Sequence, residues 1–208
     1  MSENTSVKEV KSNVEFAVGS PLTNRTYEEY VKYLGVNEAD LGKTVLDLGS
    51  GRTERFARTA HEKGIQVFSV SPNLADSNDL NSLDIQKVKS RHDDMNNPNY
   101  DRIKTKDVGR TVAAVAQKLP FKSESFDSVI SLWAVPYYVP DMDLKKTLEE
   151  IMRVLKPRGR GFFGPVSTQR MELEEILNDL QIKHEFTSYN EEVDDGVQRD
   201  FFTLKIEK

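Results

Sequence analysis

The chain has 208 residues, a formal net charge of −5 at neutral pH and an isoelectric point near 5.4. This acidic balance argues against nucleic acid as a partner, because basic side chains on phosphates supply most of the affinity for nucleic acid. The basic cluster of Lys156, Arg158 and Arg160 flanks a predicted turn, and we interpret it as a solvated turn near a helix C-terminus. With no cysteine, the chain forms neither a disulfide framework nor a thiolate metal site.

The length suits one α/β domain with a well-buried core. We expect a single domain over residues 21–208, preceded by a flexible arm at residues 1–20, where no periodicity is visible. Residues 73–110 form a long polar stretch rich in Asp and Asn, which we interpret as an insertion. No apolar run reaches the roughly 18–20 residues that span a bilayer, and residues 1–11 lack the core of a secretory signal. The sequence therefore predicts a cytoplasmic protein that does not enter membranes.

The first predicted helix begins at Thr26, which forms a capping-box pattern with Glu29. Gly35 is placed to end this helix. Its apolar side chains recur at helical spacing: Tyr27, Tyr30, Val31 and Leu34.

The run Thr-Val-Leu-Asp-Leu-Gly-Ser-Gly at residues 44–51 predicts a short buried strand that ends in a glycine turn. Asp47 lies where the strand ends, and Gly49 and Gly51 permit positive φ and close approach of a ligand to the backbone. A helix follows, with one apolar face made of Phe56, Ala57 and Ala60 and with Gly64 at its end. A strand, a glycine turn and a helix N-terminus in this order are typical of a site for a nucleotide-like ligand.

Further strands and helices alternate along the rest of the chain. Asp143 is placed to cap a helix with an apolar face of Leu144, Leu148, Ile151, Met152 and Leu155. Another amphipathic helix carries Met171, Ile176, Leu177 and Leu180. The other predicted strands lie at residues 66–70, 112–116 and 125–131, from 161 onward, and at 184–189 and 199–206. The alternation predicts an α/β fold with a doubly wound, mostly parallel seven-stranded sheet.

Three segments, in order, resemble the class I S-adenosylmethionine (SAM)-dependent methyltransferases. They are the Val-Leu-Asp-Leu-Gly-Ser-Gly turn at 45–51, the Leu-Pro-Phe and Ser-Phe-Asp segments at 119–121 and 125–127, and Arg-Val-Leu-Lys-Pro-Arg-Gly at 153–159. The resemblance covers roughly residues 26–163 and implies a Rossmann-like methyltransferase fold with a C-terminal antiparallel hairpin. It also implies SAM as the cofactor and a small molecule as the methyl acceptor.

The resemblance assigns roles to residues at the carboxyl ends of the predicted strands. Gly49 and Gly51 would lie against the methionine part of SAM, and Asp47 would face its ammonium group. The backbone at Ala116 would meet the adenine, and Leu132 would line the methionine end. The implied cofactor-binding set is Asp47, Gly49, Ser50, Gly51, Ser71, Ala116, Gln117 and Leu132.

Three positions depart from the family pattern. Thr53 stands where a third glycine is usual, and Ser71 stands where an acidic residue usually holds the ribose hydroxyls. Val115 aligns with the end of the third strand, where an Asp often meets the adenine amine. A missing charged hydrogen bond is worth about 1.5–3 kcal/mol, so these changes are expected to weaken cofactor binding.

Four residues are candidate general bases for an acceptor that must lose a proton: Tyr137, Tyr138, Tyr27 and His92. For the tyrosines the alternative role is packing at the mouth of the strands. His92 starts a His-Asp-Asp triplet, but adjacent residues do not have the spacing of metal ligands, and we predict no metal site.

Two other functions compete with catalysis of methyl transfer. The first is a methyltransferase fold that has weakened or lost cofactor binding and serves as a non-catalytic binding module. The second is a nicotinamide-dependent dehydrogenase, whose fingerprint requires glycine where this chain has Glu54. The sequence does not determine the acceptor or the oligomeric state.

Overall fold

The structure is a computed structural model. It describes residues 25–50, 55–70, 110–112, 114–136, 143–166, 170–192 and 198–208. The predicted N-terminal arm and nearly all of the predicted insertion lie outside these ranges. None of the helices in the described ranges combines the length and the apolar character needed to cross a bilayer.

The described residues form one seven-stranded sheet in the order β3-β2-β1-β4-β5-β7-β6. Strands β1 to β5 run parallel, whereas β7 pairs antiparallel with both β5 and β6. This confirms the predicted doubly wound sheet and its closing hairpin. The strands are β1 (Thr44–Leu48), β2 (Gln66–Val70), β3 (Arg110–Val112), β4 (Phe126–Leu132), β5 (Leu155–Gly164), β6 (Lys183–Glu192) and β7 (Gln198–Glu207).

Five helices accompany the sheet in the described ranges. Their bounds are α1 (Tyr27–Leu34), α2 (Glu38–Leu41), α3 (Arg55–Glu62), α4 (Leu144–Val154) and α5 (Arg170–Asp179). Helix α1 has the predicted capping box between Thr26 and Glu29 and ends at Gly35 in the left-handed conformation, with φ of +64°. The predicted cap of α4 is also confirmed, since the Asp143 side chain accepts a hydrogen bond of 2.9 Å from the Lys146 amide.

The sheet separates two apolar clusters. On one face, α1 and α3 bury Tyr30 and Phe56 against β1 and β4, whose contributions include Val45 and Ile130. On the other face, residues of α4 and α5 join a second cluster that includes Leu46 of β1 and Val129 of β4. The three α3 residues predicted to face the core (Phe56, Ala57 and Ala60) are each at most 2% exposed.

The order of the strands reverses between β1 and β4. From β1 the chain moves outward through β2 to β3, and then returns to form β4 on the other side of β1. In open α/β sheets, a crevice for ligands forms at the carboxyl ends of the strands at such a reversal. The segments that follow β1 and β4 therefore flank the expected site.

The predicted position of the third strand was wrong. Strand β3 covers Arg110–Val112, and it pairs with the last three residues of β2. The pair of Val70 and Val112 is the last in the described part of this ladder. Val115 instead pairs with Lys118 in a tight turn and is 47% exposed. The alignment of Val115 with the end of this strand is corrected accordingly.

The structure also corrects the start of the fifth strand. Leu155 was predicted to lie on the α4 face, but it is the first residue of β5 and pairs with Phe126. The next pair along β5 joins Arg160 to Ser128, so the residues between Leu155 and Arg160 bulge out of the ladder. The basic cluster lies at this bulge.

Two further expectations change in the structure. The basic cluster is not simply solvated, because Lys156 forms a 2.7 Å ion pair with Asp127 and Arg160 forms one of the same length with Asp40. Met171 was predicted to lie on the apolar face of α5, yet it is 86% exposed. It lies in the first turn of that helix, outside the stripe that packs on the sheet.

Candidate active site

The turn after β1 requires glycine at position 49. Gly49 has φ of +76°, a value that side-chain-bearing residues rarely adopt. Its amide donates a 2.7 Å hydrogen bond to the Val70 carbonyl at the end of β2. A Cβ atom at position 49 would overlap the Cβ of Ala134. The turn is therefore held between the end of β2 and the segment that follows β4.

The Asp47 carboxylate is fixed at this end of β1 by a tyrosine from α1. The Tyr30 hydroxyl lies 3.1 and 3.2 Å from the two carboxylate oxygens of Asp47, to which it donates. Asp47 is 2% exposed and Tyr30 is 1% exposed. Burial, together with the neighbouring Asp47 charge, raises the pKa of Tyr30 well above its usual value. Tyr30 thus remains a protonated donor at physiological pH.

The segment after β4 is anchored by Ser131. Its hydroxyl donates a 2.8 Å hydrogen bond to the Leu48 carbonyl and accepts one of the same length from the Val135 amide. The Trp133 amide donates a 2.6 Å bond to the Gly164 carbonyl at the end of β5. One serine therefore ties the ends of β1 and β4 together at the position where the ligand crevice is expected.

Aromatic side chains form a wall beside the end of β4. The Trp133 ring packs edge-on against Phe201 at 5.4 Å between centroids, and Phe201 stacks on Tyr189 at 5.5 Å. Tyr189 contacts Tyr33 of α1 at 5.8 Å. The guanidinium of Arg25 lies over the Trp133 ring, 5.2 Å from its centroid. We call the four aromatic residues the aromatic wall.

The other residues that were predicted to bind the cofactor lie in several separate parts of the structure. Ala116 and Gln117 lie at the tip of the turn between Val115 and Lys118, with Ala116 buried. Ser50 is also buried, directly after Gly49. Leu132 is fully buried in the cluster on the α1 side of the sheet. Gly51 and Ser71 lie outside the described residues.

Of the candidate bases, only Tyr27 falls within the described ranges; Tyr137, Tyr138 and His92 lie outside them. The Tyr27 ring stacks on Phe56 at 5.4 Å and is 5% exposed. Its hydroxyl has no hydrogen-bond partner among the described residues. Burial raises the pKa of Tyr27 above its usual value.

Sequence reasoning missed two side chains that shape this site. The Tyr30 hydroxyl and the Arg25 guanidinium both come from α1 or the residues just before it. The helical spacing predicts that Tyr30 is buried, and the structure confirms it. Its pairing with Asp47, 17 residues away, depends on how α1 crosses the sheet.

A second polar network connects two of the segments that resemble the methyltransferase family, the Leu-Pro-Phe segment at 119–121 and the segment at 153–159. Arg153 donates hydrogen bonds of 2.7 Å to the Phe121 carbonyl and 3.0 Å to the Leu119 carbonyl. Glu150 accepts a 2.8 Å bond from the Leu119 amide and pairs with Arg153 at 2.7 Å. The Arg of the 153–159 segment therefore holds the Leu-Pro-Phe segment that leads into β4.

Comparison with known proteins identifies the family. A family model described as a methyltransferase domain matches residues 46–163, which is more than half of the chain. The chain belongs to the class I SAM-dependent methyltransferase family. The match begins in β1 and ends in β5, so it contains both sides of the crevice described above.

Curated relatives match part of this chain. It is 29% identical over 144 residues to a malonyl-[acyl-carrier protein] O-methyltransferase of Marinomonas sp., which covers 69% of this chain and 44% of that protein. It is 34% identical over 67 residues to a sterol 4-C-methyltransferase of Caenorhabditis elegans, covering 32% of this chain and 19% of that one. The chain thus spans less than half the length of these two relatives.

Solved structures share the fold of this chain. A SAM-dependent methyltransferase from Methanosarcina mazei superimposes with a TM-score of 0.53 at 16% identity, covering 81% of this chain and 93% of that one. Geranyl diphosphate C-methyltransferase from Streptomyces coelicolor gives the same TM-score and identity, covering 87% of this chain and 77% of that one. At this level of identity the likeness establishes the fold.

Proposed function

We propose that this chain transfers a methyl group from SAM to a small-molecule acceptor. The observation that carries the proposal is the geometry at the end of β1, where a buried carboxylate and a glycine turn face the strand-order reversal. Family membership and the position of this geometry support the same conclusion. SAM is the cofactor of the family, and the residues present fit it.

The residues at the end of β1 suit SAM in their charge and in their shape. Asp47 offers a negative charge to an ammonium group, and Tyr30 holds that carboxylate in one orientation. Gly49 brings bare backbone to the crevice, where Ala134 leaves no space for a side chain. We propose that Gly51 and Ser50 continue this backbone surface, that Ala116 and Gln117 approach the adenine, and that Ser71 approaches the ribose.

When bound, SAM supplies a sulfonium methyl group that is already activated towards a nucleophile. The protein's part is therefore chiefly to align donor and acceptor, which is a large source of rate enhancement in two-substrate reactions. Ser131 supports this alignment because it fixes the two strand ends relative to each other. Burial raises the pKa of Tyr27, so its hydroxyl stays protonated at neutral pH and is not available as a general base. Tyr137, Tyr138 and His92 are the better candidates for an acceptor that must lose a proton.

The aromatic wall supports an acceptor with an apolar part. The half-buried Trp133 ring, backed by the buried Phe201, lies beside the end of β4, and aromatic side chains commonly line the binding sites of small organic ligands. By their names, the relatives described above methylate malonyl-[acyl-carrier protein] and a sterol, and the structural neighbour methylates geranyl diphosphate. We therefore place the acceptor among small organic molecules. We keep the cytoplasm as its proposed location, since the chain has no cysteine.

The test is formation of S-adenosylhomocysteine from SAM by the purified chain. A panel of acceptors should include a malonyl thioester, a sterol and geranyl diphosphate, with an acceptor-free reaction as the baseline. We expect acceptor-dependent product formation that Asp47→Asn reduces at least tenfold. Binding of S-adenosylhomocysteine without turnover of any acceptor in the panel would retain the cofactor site and place the acceptor outside the panel. Absence of binding at millimolar SAM would contradict the proposal and favour the non-catalytic binding module that has lost cofactor binding.

A further inference from the structure

Ser69 of β2 carries a buried hydroxyl that no described residue engages. Its side chain is fully buried, and its Oγ has no hydrogen-bond partner among the described residues. A buried hydroxyl without a partner loses its hydrogen bonds to water, and such a group in a folded protein requires an explanation. Alanine would fill the same position without that cost. The hydroxyl therefore indicates a use at this position.

Ser69 lies directly beside Asp47 of the neighbouring strand. The two residues are paired in the parallel ladder between β1 and β2. Val45 and Val67, two positions before them, both belong to the apolar cluster under α1 and α3. Because successive side chains of a strand alternate between the two faces of the sheet, Asp47 and Ser69 face this same cluster. A hydrogen-bond donor and an acceptor thus lie side by side under two helices.

The spacing of the strands brings the two groups within reach of each other. Neighbouring strands lie roughly 4.7–4.9 Å apart, and both the serine hydroxyl and the carboxylate oxygens extend beyond their Cβ atoms. A serine hydroxyl moves between staggered positions by rotation about a single bond. Such a rotation allows Ser69 to donate to Asp47 without a movement of the backbone.

The Asp47 carboxylate has capacity for this donor. Tyr30 donates to it over 3.1 and 3.2 Å, whereas bonds from a hydroxyl to a carboxylate are typically about 2.5–2.7 Å long. A carboxylate offers about four lone-pair sites, so one hydroxyl does not saturate it. At 2% exposure, Asp47 depends on donors from the protein, more than on bulk water, to remain ionised.

We infer that Ser69 is a positioning residue, whose hydroxyl donates to the Asp47 carboxylate and keeps it charged for the ammonium group of SAM. This inference rests on the proposed SAM site. Ser69 is fully buried one residue before the end of β2, so it acts through Asp47 and not on the ligand itself. It extends the contact between Tyr30 and Asp47 from α1 and β1 to a third element, β2.

The pH dependence of ligand binding tests the inference on the intact chain. A hydrogen bond to the charged form of a carboxylate lowers its pKa, so loss of the Ser69 hydroxyl raises the pKa of Asp47. The probes for calorimetry are S-adenosylhomocysteine, which has the ammonium group, and 5′-methylthioadenosine, which lacks it. As the pH falls, binding of S-adenosylhomocysteine to Ser69→Ala should be lost about 0.5–1 pH unit above the native midpoint, which makes it about 3- to 10-fold weaker below that midpoint. The profile for 5′-methylthioadenosine should not move.

The other groups near this carboxylate stay the same in the comparison. Among the described residues, those whose charges act on the Tyr30 hydroxyl beside Asp47 come from α1 and the residues just before it: Glu29 and Arg25. The packed faces of α3 and β4 contribute apolar side chains to this cluster. In the Asp47→Asn background, Ser69→Ala should leave the affinity for S-adenosylhomocysteine unchanged, because the charge through which it acts is gone.

Ser128→Ala is the matched control. Ser128 is another fully buried serine, and its hydroxyl donates a 2.8 Å hydrogen bond to the Leu41 carbonyl. Its replacement should lower the stability in urea without moving the pH profile of S-adenosylhomocysteine binding. A buried serine with a purely structural role is thereby separated from one that acts on Asp47.

The outcomes distinguish this inference from the proposed function. If the native chain binds neither probe, the proposed SAM site fails and the inference fails with it. Binding of S-adenosylhomocysteine with the same pH profile in the native chain and Ser69→Ala would overturn the inference alone. An equal shift for 5′-methylthioadenosine, or the same shift in Ser128→Ala, would also overturn it, since the effect would then not depend on the charge of Asp47.

Discussion

Replacement of Gly49 by alanine is expected to destabilise the fold and to weaken SAM binding together. Two separate costs arise at this position. A non-glycine residue in the left-handed region costs about 1–2 kcal/mol, and φ of Gly49 is +76°. The new Cβ would overlap that of Ala134, and overpacking of this kind costs about 1–3 kcal/mol. The expected loss in the free energy of unfolding is therefore about 2–5 kcal/mol.

Gly64 provides a matched control for the first cost. Its φ of +75° is almost the same as that of Gly49, but a Cβ at this position has no heavy atom within 4 Å. Gly64→Ala should therefore show the conformational cost alone. The difference between the two variants measures the overlap with Ala134.

A double-mutant cycle then assigns that difference to one contact. Combined with Ala134→Gly, Gly49→Ala should cost about 1–3 kcal/mol less than it does alone, because the clashing atom has been removed. Urea denaturation gives the free energies, and calorimetry with S-adenosylhomocysteine gives the affinities. Equal costs for Gly49→Ala and Gly64→Ala, with no coupling to Ala134, would refute the packing described for this turn.

Three other substitutions test the polar contacts around the sheet. Tyr30→Phe removes the hydroxyl that donates a hydrogen bond to Asp47, and should lower the free energy of unfolding by about 1.5–3 kcal/mol in urea titrations. An unchanged free energy of unfolding would show that this hydrogen bond does not stabilise the fold. Arg153→Lys keeps the charge but loses the fork to two carbonyls, and should cost about 1–2 kcal/mol in the same assay, whereas a neutral effect would contradict the anchoring role. Lys156→Met should cost about 0.5–1 kcal/mol at neutral pH. Burial alone would raise the pKa of Asp127, but hydrogen bonding from Lys156 lowers it below the ordinary carboxyl value of 3.8. The stability that this pair contributes is therefore present above pH 3.8 and is lost as the pH falls through the lower pKa of the folded state. The cost of Lys156→Met should therefore vanish in acid, and a constant cost in denaturation measured across pH would contradict the ion pair.

Local sequence patterns predicted the parts of the fold that depend on near neighbours. The cap at Thr26, the buried face of α3 and the glycine turn after β1 all follow from residues within a few positions of each other. The structure confirms these three features. They could be predicted because helix periodicity, capping and backbone conformation are set by neighbouring residues. The fold class followed from the alternation of strands and helices and from the family resemblance.

The errors arose where a distant partner decides the local structure. Strand β3 lies at Arg110–Val112 beside β2, whereas Val115 pairs with Lys118, and nothing near Val115 in the sequence shows this. Lys156 pairs with Asp127 across neighbouring strands, which a charge run alone does not reveal. Tyr30 reaches Asp47 only because α1 lies over the end of β1. The proposed site residues beyond this end of β1 remain predictions.

The central claim is that SAM binds at the end of β1 through Asp47. Calorimetric titration of the native chain, Asp47→Asn and Asp179→Asn with S-adenosylhomocysteine tests it most directly. Asp179 is an exposed residue at the end of α5 and controls for the loss of one negative charge. We predict one site per chain, a loss of at least tenfold for Asp47→Asn and no change for Asp179→Asn. No heat with the native chain, or equal affinity for all three proteins, would contradict the account.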